Sequence, residues 1–195
     1  MIPHPLRAAF ALALALSLAA RDAAADLVIY DDALRNGFVD LSWPGPLPNP
    51  DMNYCANFHV YLGTCTIFYK AHDLNGLSFG RPGQPLTTAE YPQLTLWIRG
   101  DAGGERLTVQ LRSGGNLVAS APLEAFVAGG MIDNGAYQAV VMPFAAPPLG
   151  YVGAFDRIDL QDASGIGGGD AQWVFIDEIR LSAAGDAIFA SGFEP

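Results

Sequence analysis

The chain is poor in the groups that usually carry chemistry. Only 15% of its 195 residues are charged, and it holds one lysine (Lys70), two cysteines and three histidines (His4, His59 and His72). With 20 acidic residues and a net charge of −10, it lacks the clustered Lys and Arg that displace counterions from phosphates. Nucleic acid and anionic lipid are therefore excluded as partners. Two cysteines and His59 are too few for a structural zinc centre, which needs four ligands. No uncharged apolar run reaches the roughly 20 residues of a membrane span. Helical periodicity is almost absent, and 22 Gly and 14 Pro argue against a helical bundle. A hydrophobic content of 51% argues equally against disorder.

What is present begins with an export signal. Arg7 precedes an uncharged run from Ala8 to Ala20, and Ala23-Ala24-Ala25 offers a small-residue cleavage site before Asp26. Residues 1–25 are read as a signal peptide, which places the protein in the periplasm, at the cell surface or outside the cell. The mature chain is not expected to insert into a membrane. Cleavage removes Arg7, Arg21 and Asp22, so 10 basic and 20 acidic residues become 8 and 19, a net charge of −11. A neutral polysaccharide or oligosaccharide suits such a surface; a strongly acidic one does so only if the few arginines gather on one face. In an exported chain, Cys55 and Cys65 most simply form a disulfide. Closing that short loop contributes roughly 3 kcal/mol in the chain-entropy model.

About 170 mature residues make one domain, expected as a monomer. The recurring pattern is a short alternating apolar run followed by Gly, Pro, Asn or Asp. Candidate strands are 27–30, 38–43, 58–62, 66–70, 77–79, 93–99, 107–112, 117–120, 137–142, 155–160 and 173–181, with one helical turn within 122–128. Ten or eleven strands without helices predict an all-β, two-sheet antiparallel sandwich over residues 26–187. Residues 188–195, rich in Phe, are a tail read either as a sorting signal or as a final strand.

Alternation sorts the faces of these strands. Leu94, Leu96 and Ile98 point one way and Thr95, Trp97 and Arg99 the other; Leu107, Val109 and Leu111 oppose Thr108, Gln110 and Arg112. The short connection Gly100-Asp101-Ala102-Gly103-Gly104 predicts that the two strands form an antiparallel hairpin. That pairing would place Trp97, Arg99, Gln110 and Arg112 on one outer surface, with Trp43 and Tyr54 flanking it from the proline-rich loop. A tryptophan among long polar side chains suits sugar stacking, and is equally what a Trp covered by a neighbouring loop would show. In the last strand the parity of the apolar residues changes between Ile176 and Ile179, which predicts a β-bulge at Asp177-Glu178. A bulge there would turn Asp177 toward Asp31 or Asp32, an oxygen set suited to Ca²⁺, or leave solvated acids at strand ends.

Four segments, 29–32 leading to 41–43, 75–79, 91–100, and 155–161 with 174–181, together resemble galactose-binding-domain-like jelly rolls, the fold of many carbohydrate-binding modules in secreted bacterial proteins. The resemblance spans nearly the whole mature chain. It implies a structural calcium near the joined chain ends and a glycan cleft on a concave sheet face or in the loops at one end.

Catalytic patterns fail individually. Gly76-Leu77-Ser78-Phe79-Gly80 fits a nucleophile elbow, but Arg81-Pro82-Gly83-Gln84-Pro85 follows where a helix is required. His72-Asp73 beside Asn75 is explained by turn chemistry. Glu90, Glu105, Asp159 and Glu178 are available for glycoside hydrolysis, as acids are in any acidic sandwich. The expected function is non-catalytic glycan binding. A cell-surface structural or adhesive protein, contacting proteins through the cysteine loop and the tail, is the alternative; a glycan-active enzyme with a weakly signalled site ranks third.

Overall fold

The computed structural model describes residues 25–43, 50–72, 75–163 and 172–184. The expected signal peptide, apart from Ala25, and the tail at 188–195 lie outside the described residues. Where short apolar runs alternate with polar residues the chain forms strands, and Gly, Pro and Asn break it into turns. In chain order the strands are β1 (Leu27–Tyr30), β2 (Val39–Asp40), β3 (Asp51–Tyr54), β4 (Thr66–Ala71), β5 (Gly76–Gly80), β6 (Leu86–Thr87) and β7 (Gln93–Gly100). They continue with β8 (Leu107–Ser113), β9 (Asn116–Pro122), β10 (Gln138–Pro143), β11 (Ala154–Phe155), β12 (Arg157–Asp162) and β13 (Gln172–Ser182). A 3-10 turn at Leu123–Phe126 falls where a helical turn is expected. No α-helix occurs among the described residues, and none of their helices is long and apolar enough to cross a membrane.

Two antiparallel sheets form the expected sandwich. The first runs β10-β7-β13-β4-β3, with β1 beside the second half of β13; the second runs β2-β5-β12-β8-β9; and β6 pairs with β11 alone. Leu94, Leu96 and Ile98 of β7, Val174 and Ile176 of β13, and Ile67 and Tyr69 of β4 are buried from one side. Leu77 and Phe79 of β5, Ile158 and Leu160 of β12, and Leu107, Val109 and Leu111 of β8 are buried from the other. The polar residues that alternate with them form the outer faces.

The predicted hairpin of β7 with β8 is not formed. β7 pairs with β10 and β13, whereas β8 pairs with β12 and β9, in the opposite sheet. The connection between them is fastened elsewhere, with Gly100 N–H on Asp133 C=O, Asp101 N–H on Trp173 C=O and Gly104 N–H on Ile132 C=O. The buried Glu105 carboxylate accepts the N–H groups of Ala102 and Gly103, turning the chain across the sandwich. A short connection thus leads out of one sheet and into the other.

Segment 58–62, expected as a strand, is instead a 3-10 turn at Asn57–His59 followed by bends. It belongs to a loop closed by the Cys55–Cys65 disulfide, and its N–H groups find a side chain rather than a neighbouring strand. β3, with its polar Asp51 and Asn53 after a run of prolines, carried no strand signal. The bulge in β13 is present: the register against β7 shifts between Asp177 and Arg180, and Glu178 has φ +48°.

Candidate functional site

Because β7 and β8 lie in different sheets, the predicted surface is split. Trp97 and Arg99 are on the outer face of the six-stranded sheet, and Gln110 and Arg112 on the outer face of the five-stranded one. Tyr54, expected beside Trp43, belongs to β3 and to the face that carries Trp97. Trp43 forms a bridge with Gly76 of β5 and stays with Gln110 and Arg112. The six predicted ligand residues are thus divided three and three between the two outer faces.

The first outer face is covered by the disulfide loop. Tyr61 stacks on Trp97 with ring centroids 4.0 Å apart, and His59 stacks on Phe175 at 4.0 Å. Tyr54 packs against Phe68 at 5.0 Å and lies 5.8 Å from His59. Arg99 is spent on the same loop and its neighbour, donating to the carbonyls of Phe58 (3.3 Å) and Asn134 (2.9 Å). Burial, with the Arg99 charge beside it, lowers the His59 pKa. Tyr137 donates its hydroxyl to the His59 carbonyl, and burial pushes that phenol up to about 12. The arrangement presents a covered tryptophan, not an open platform.

Asp177 is what holds the loop down. Its carboxylate, fully buried, accepts N–H groups from Tyr61 (3.0 Å), Leu62 (3.3 Å) and Glu178 (2.9 Å). Burial raises its pKa although these bonds pull the other way. Asp32 receives the other end of the loop through Thr64 N–H and Cys65 N–H, both at 2.8 Å, and these bonds lower its pKa. Asp31 pairs with Arg35. The expected cation set of Asp31, Asp32 and Asp177 is therefore not assembled: each carboxylate serves an N–H group or a guanidinium. No cluster of three or more His, Cys, Asp or Glu suited to a metal occurs among the described residues.

The outer face of the five-stranded sheet has a different character. On β5 its outward positions are Gly76, Ser78 and Gly80. The indole of Trp43 lies on Gly76, where a Cβ would fall 2.2 Å from the ring carbons, and Leu41 lies on Gly80, where a Cβ would fall 2.4 Å from its Cδ1. Glycine is required at both positions because each must accept a side chain against bare backbone. Next to β5, β12 presents Arg157, Asp159 and Gln161, with Asp159 opposite Ser78. Beyond it, β8 presents Gln110 opposite Asp159 and Arg112 opposite Arg157.

These side chains form one connected row. The fully buried Asp159 carboxylate accepts Arg112 Nε at 2.5 Å and Arg157 Nε at 2.6 Å. Arg112 also donates to Gln110 Oε1 at 2.9 Å, and Gln110 Nε2 donates to Gln161 Oε1 at 2.6 Å. The Arg157 guanidinium lies 5.1 Å from the centroid of the Trp43 ring. Both guanidinium side chains are about three-quarters buried, at 25% and 26% exposure, so their planes are fixed by the shared aspartate. An aromatic ring next to oriented fork donors and amides can stack on a sugar ring and hydrogen-bond its hydroxyls. The alternation Arg157-Ile158-Asp159-Leu160-Gln161 contains this face in the sequence, yet only knowledge of the strand order puts it beside Arg112. Ser78 lies within a continuous antiparallel strand, so the sharp strand-to-helix turn of a nucleophile elbow is absent.

No family model matches the chain, and no curated protein does. Solved structures do. The chain is similar to a family 29 carbohydrate-binding module from Piromyces equi, with 15% identity over 82% of this chain and 90% of that one and a TM-score of 0.50. It is similar to a variant of CBM29-2 complexed with cellulohexaose, at 17% identity over 83% and 92% of the two chains and a TM-score of 0.51. A family 30 carbohydrate-binding module aligns over 82% of this chain and 99% of its own, at 14% identity and a TM-score of 0.53. At such identities the likeness is one of fold: a β-sandwich of the kind these modules build.

Proposed function

We propose that the protein is an exported, non-catalytic glycan-binding module whose site is the outer face of the five-stranded sheet. The observation that carries this reading is the row of Trp43, Arg157, Asp159, Arg112, Gln110 and Gln161. It joins a ring seated on Gly76 to two guanidinium groups aimed by one buried carboxylate. The sandwich shared with carbohydrate-binding modules supports it, as does the binding of mannohexaose and cellulohexaose by variants of one of them. A neutral, unbranched oligosaccharide fits best, because each arginine is already balanced in part by Asp159 and the chain around the site is acidic overall. Export is supported by the leader-like N-terminal sequence and by the disulfide.

The test is retention of the protein on insoluble neutral and acidic polysaccharides, with Trp43→Ala and Arg112→Ala beside the wild type. Selective retention lost in Trp43→Ala supports the site; wild-type protein that passes through every matrix overturns the function.

A further inference from the structure

Among the described residues, the hydroxyl of Ser78 is a group on this face that no partner explains. Ser78 is 0% exposed, and its Oγ has no hydrogen-bond partner. Its backbone is satisfied: the N–H donates to Ser42 Oγ at 3.0 Å and the carbonyl accepts the Leu41 N–H at 3.0 Å. Across the sheet stands Asp159, already occupied by two arginines. A buried hydroxyl without a partner destabilises the folded state, and alanine at the same position would not carry that cost.

What closes over Ser78 is made of side chains. Leu41 and Trp43 rest on the glycines that flank it, Gly80 and Gly76, and the Arg157 guanidinium reaches the Trp43 ring from the neighbouring strand. Arg157 is held on the buried Asp159 and Trp43 is seated on Gly76, whereas Leu41 is exposed, and an exposed side chain changes rotamer without any backbone movement. Gly76 and Gly80 leave the floor beside Ser78 free of side chains of its own. Leu41, whose N–H bonds the Ser78 carbonyl, is the side chain that can turn away, and the hydroxyl then becomes available beside the aromatic ring.

We propose that Ser78 is a ligand-binding residue of the glycan site, kept beneath a lid formed by Leu41 beside the seated Trp43, and that it hydrogen-bonds a sugar hydroxyl when the lid opens. This rests on the glycan-binding reading of the same face. It explains why a buried, unpartnered hydroxyl is carried at the centre of the face, where the protein forgoes stability that a ligand restores.

The experiment measures thermal midpoint and affinity on wild type, Ser78→Ala and Leu41→Ala, using whichever neutral polysaccharide or derived hexasaccharide retains the wild type. Ser78→Ala is expected to raise the midpoint by about 2–5 °C while weakening binding about five- to tenfold. Leu41→Ala, which loosens the lid, is expected to lower the midpoint and tighten binding, since less of the population remains closed. Ser78→Ala with wild-type affinity overturns the inference, whatever its midpoint. Leu41→Ala that weakens binding overturns the lid. A wild type that binds and a Trp43→Ala variant that does not, beside unaltered Ser78→Ala, would remove Ser78 and leave the glycan site standing. A wild type that binds no glycan removes both.

Discussion

Tyr61 lies stacked on Trp97, 4.0 Å between ring centroids and 17° from parallel. The two tryptophans expected at the ligand face are thereby given opposite roles: Trp97 is the floor of a docked loop, Trp43 the edge of the polar row on the opposite sheet. Trp97→Ala should lower stability by about 3 kcal/mol, the range for deleting a large aromatic from a packed site, and leave glycan retention intact. Trp43→Ala should do the reverse, abolishing retention with a smaller loss of stability. Urea denaturation and polysaccharide pull-down on both variants check the assignment; loss of retention in Trp97→Ala would reverse it.

Asp159 holds two arginines at once, so its removal should be felt twice. Asp159→Asn is expected to cost about 3 kcal/mol, because Arg112 and Arg157 are left partly buried without their counter-charge. It should also weaken glycan binding more than Arg112→Lys does, since both forks lose their aim. Equilibrium unfolding and isothermal titration read the two effects separately. Unchanged unfolding would show that the pair is not anchored as described.

Opening the disulfide should release the loop from its sheet without touching the opposite face. Cys55→Ser/Cys65→Ser is expected to lose roughly 3 kcal/mol of stability and to make Trp97 accessible to a fluorescence quencher. Retention on the polysaccharide that binds wild type should persist. Its disappearance would mean that the two faces are coupled.

The loop also carries a pH dependence whose sign follows from its groups. His59 packs against the rings of Tyr54, Phe58 and Phe175, with Arg99 beside it and Asp101 opposing more weakly. Its folded pKa lies below the unfolded value near 6.5, so its contribution is fully present above that value and is lost as pH falls through the folded one. Asp177, raised by burial, acts in the opposite sense: its protonation favours the folded state as the pH drops toward its own pKa. The His59 share is isolated by difference. Relative to His59→Phe, the wild type should lose melting temperature progressively below about pH 6.5, and a pH-independent difference between the two proteins would refute the burial of the imidazole.

With Asp32 and Asp177 accepting N–H groups, the expected effect of a chelator is none. A melting midpoint unchanged by EDTA and by added calcium agrees with these bonds. A fall of several degrees on chelation, reversed by calcium, would show that an ion competes for the same oxygens.

The periodicity of single strands was legible in the sequence, and so was any event that disturbs it. Leu94-Leu96-Ile98 and Leu107-Val109-Leu111 point inward as their alternation requires, and the parity change after Ile176 marks the bulge. Pairing was not legible. Six residues between β7 and β8 look like a hairpin connection until Glu105 turns them across the sandwich, and a strand's hydrophobic face is the same in either sheet. The candidate site depends on the pairing: the strand order in sequence joins Arg112 to Trp97, whereas the register joins it to Arg157. The cover over Trp97 depends on a carboxylate more than a hundred residues away, which no local pattern announces.

The position of β13 has a consequence for how the chain is made. The last strand among the described residues lies at the centre of the six-stranded sheet, bonded to β7 on one side and to β4 and β1 on the other. Until Gln172–Ser182 leaves the ribosome, those three strands have no common neighbour and the cysteine loop has no Asp177 to receive it. A chain stopped before residue 172 is therefore not a smaller domain but an unassembled one. The topology delays completion of the sandwich until β13 has been made and makes folding depend on contacts of long sequence separation.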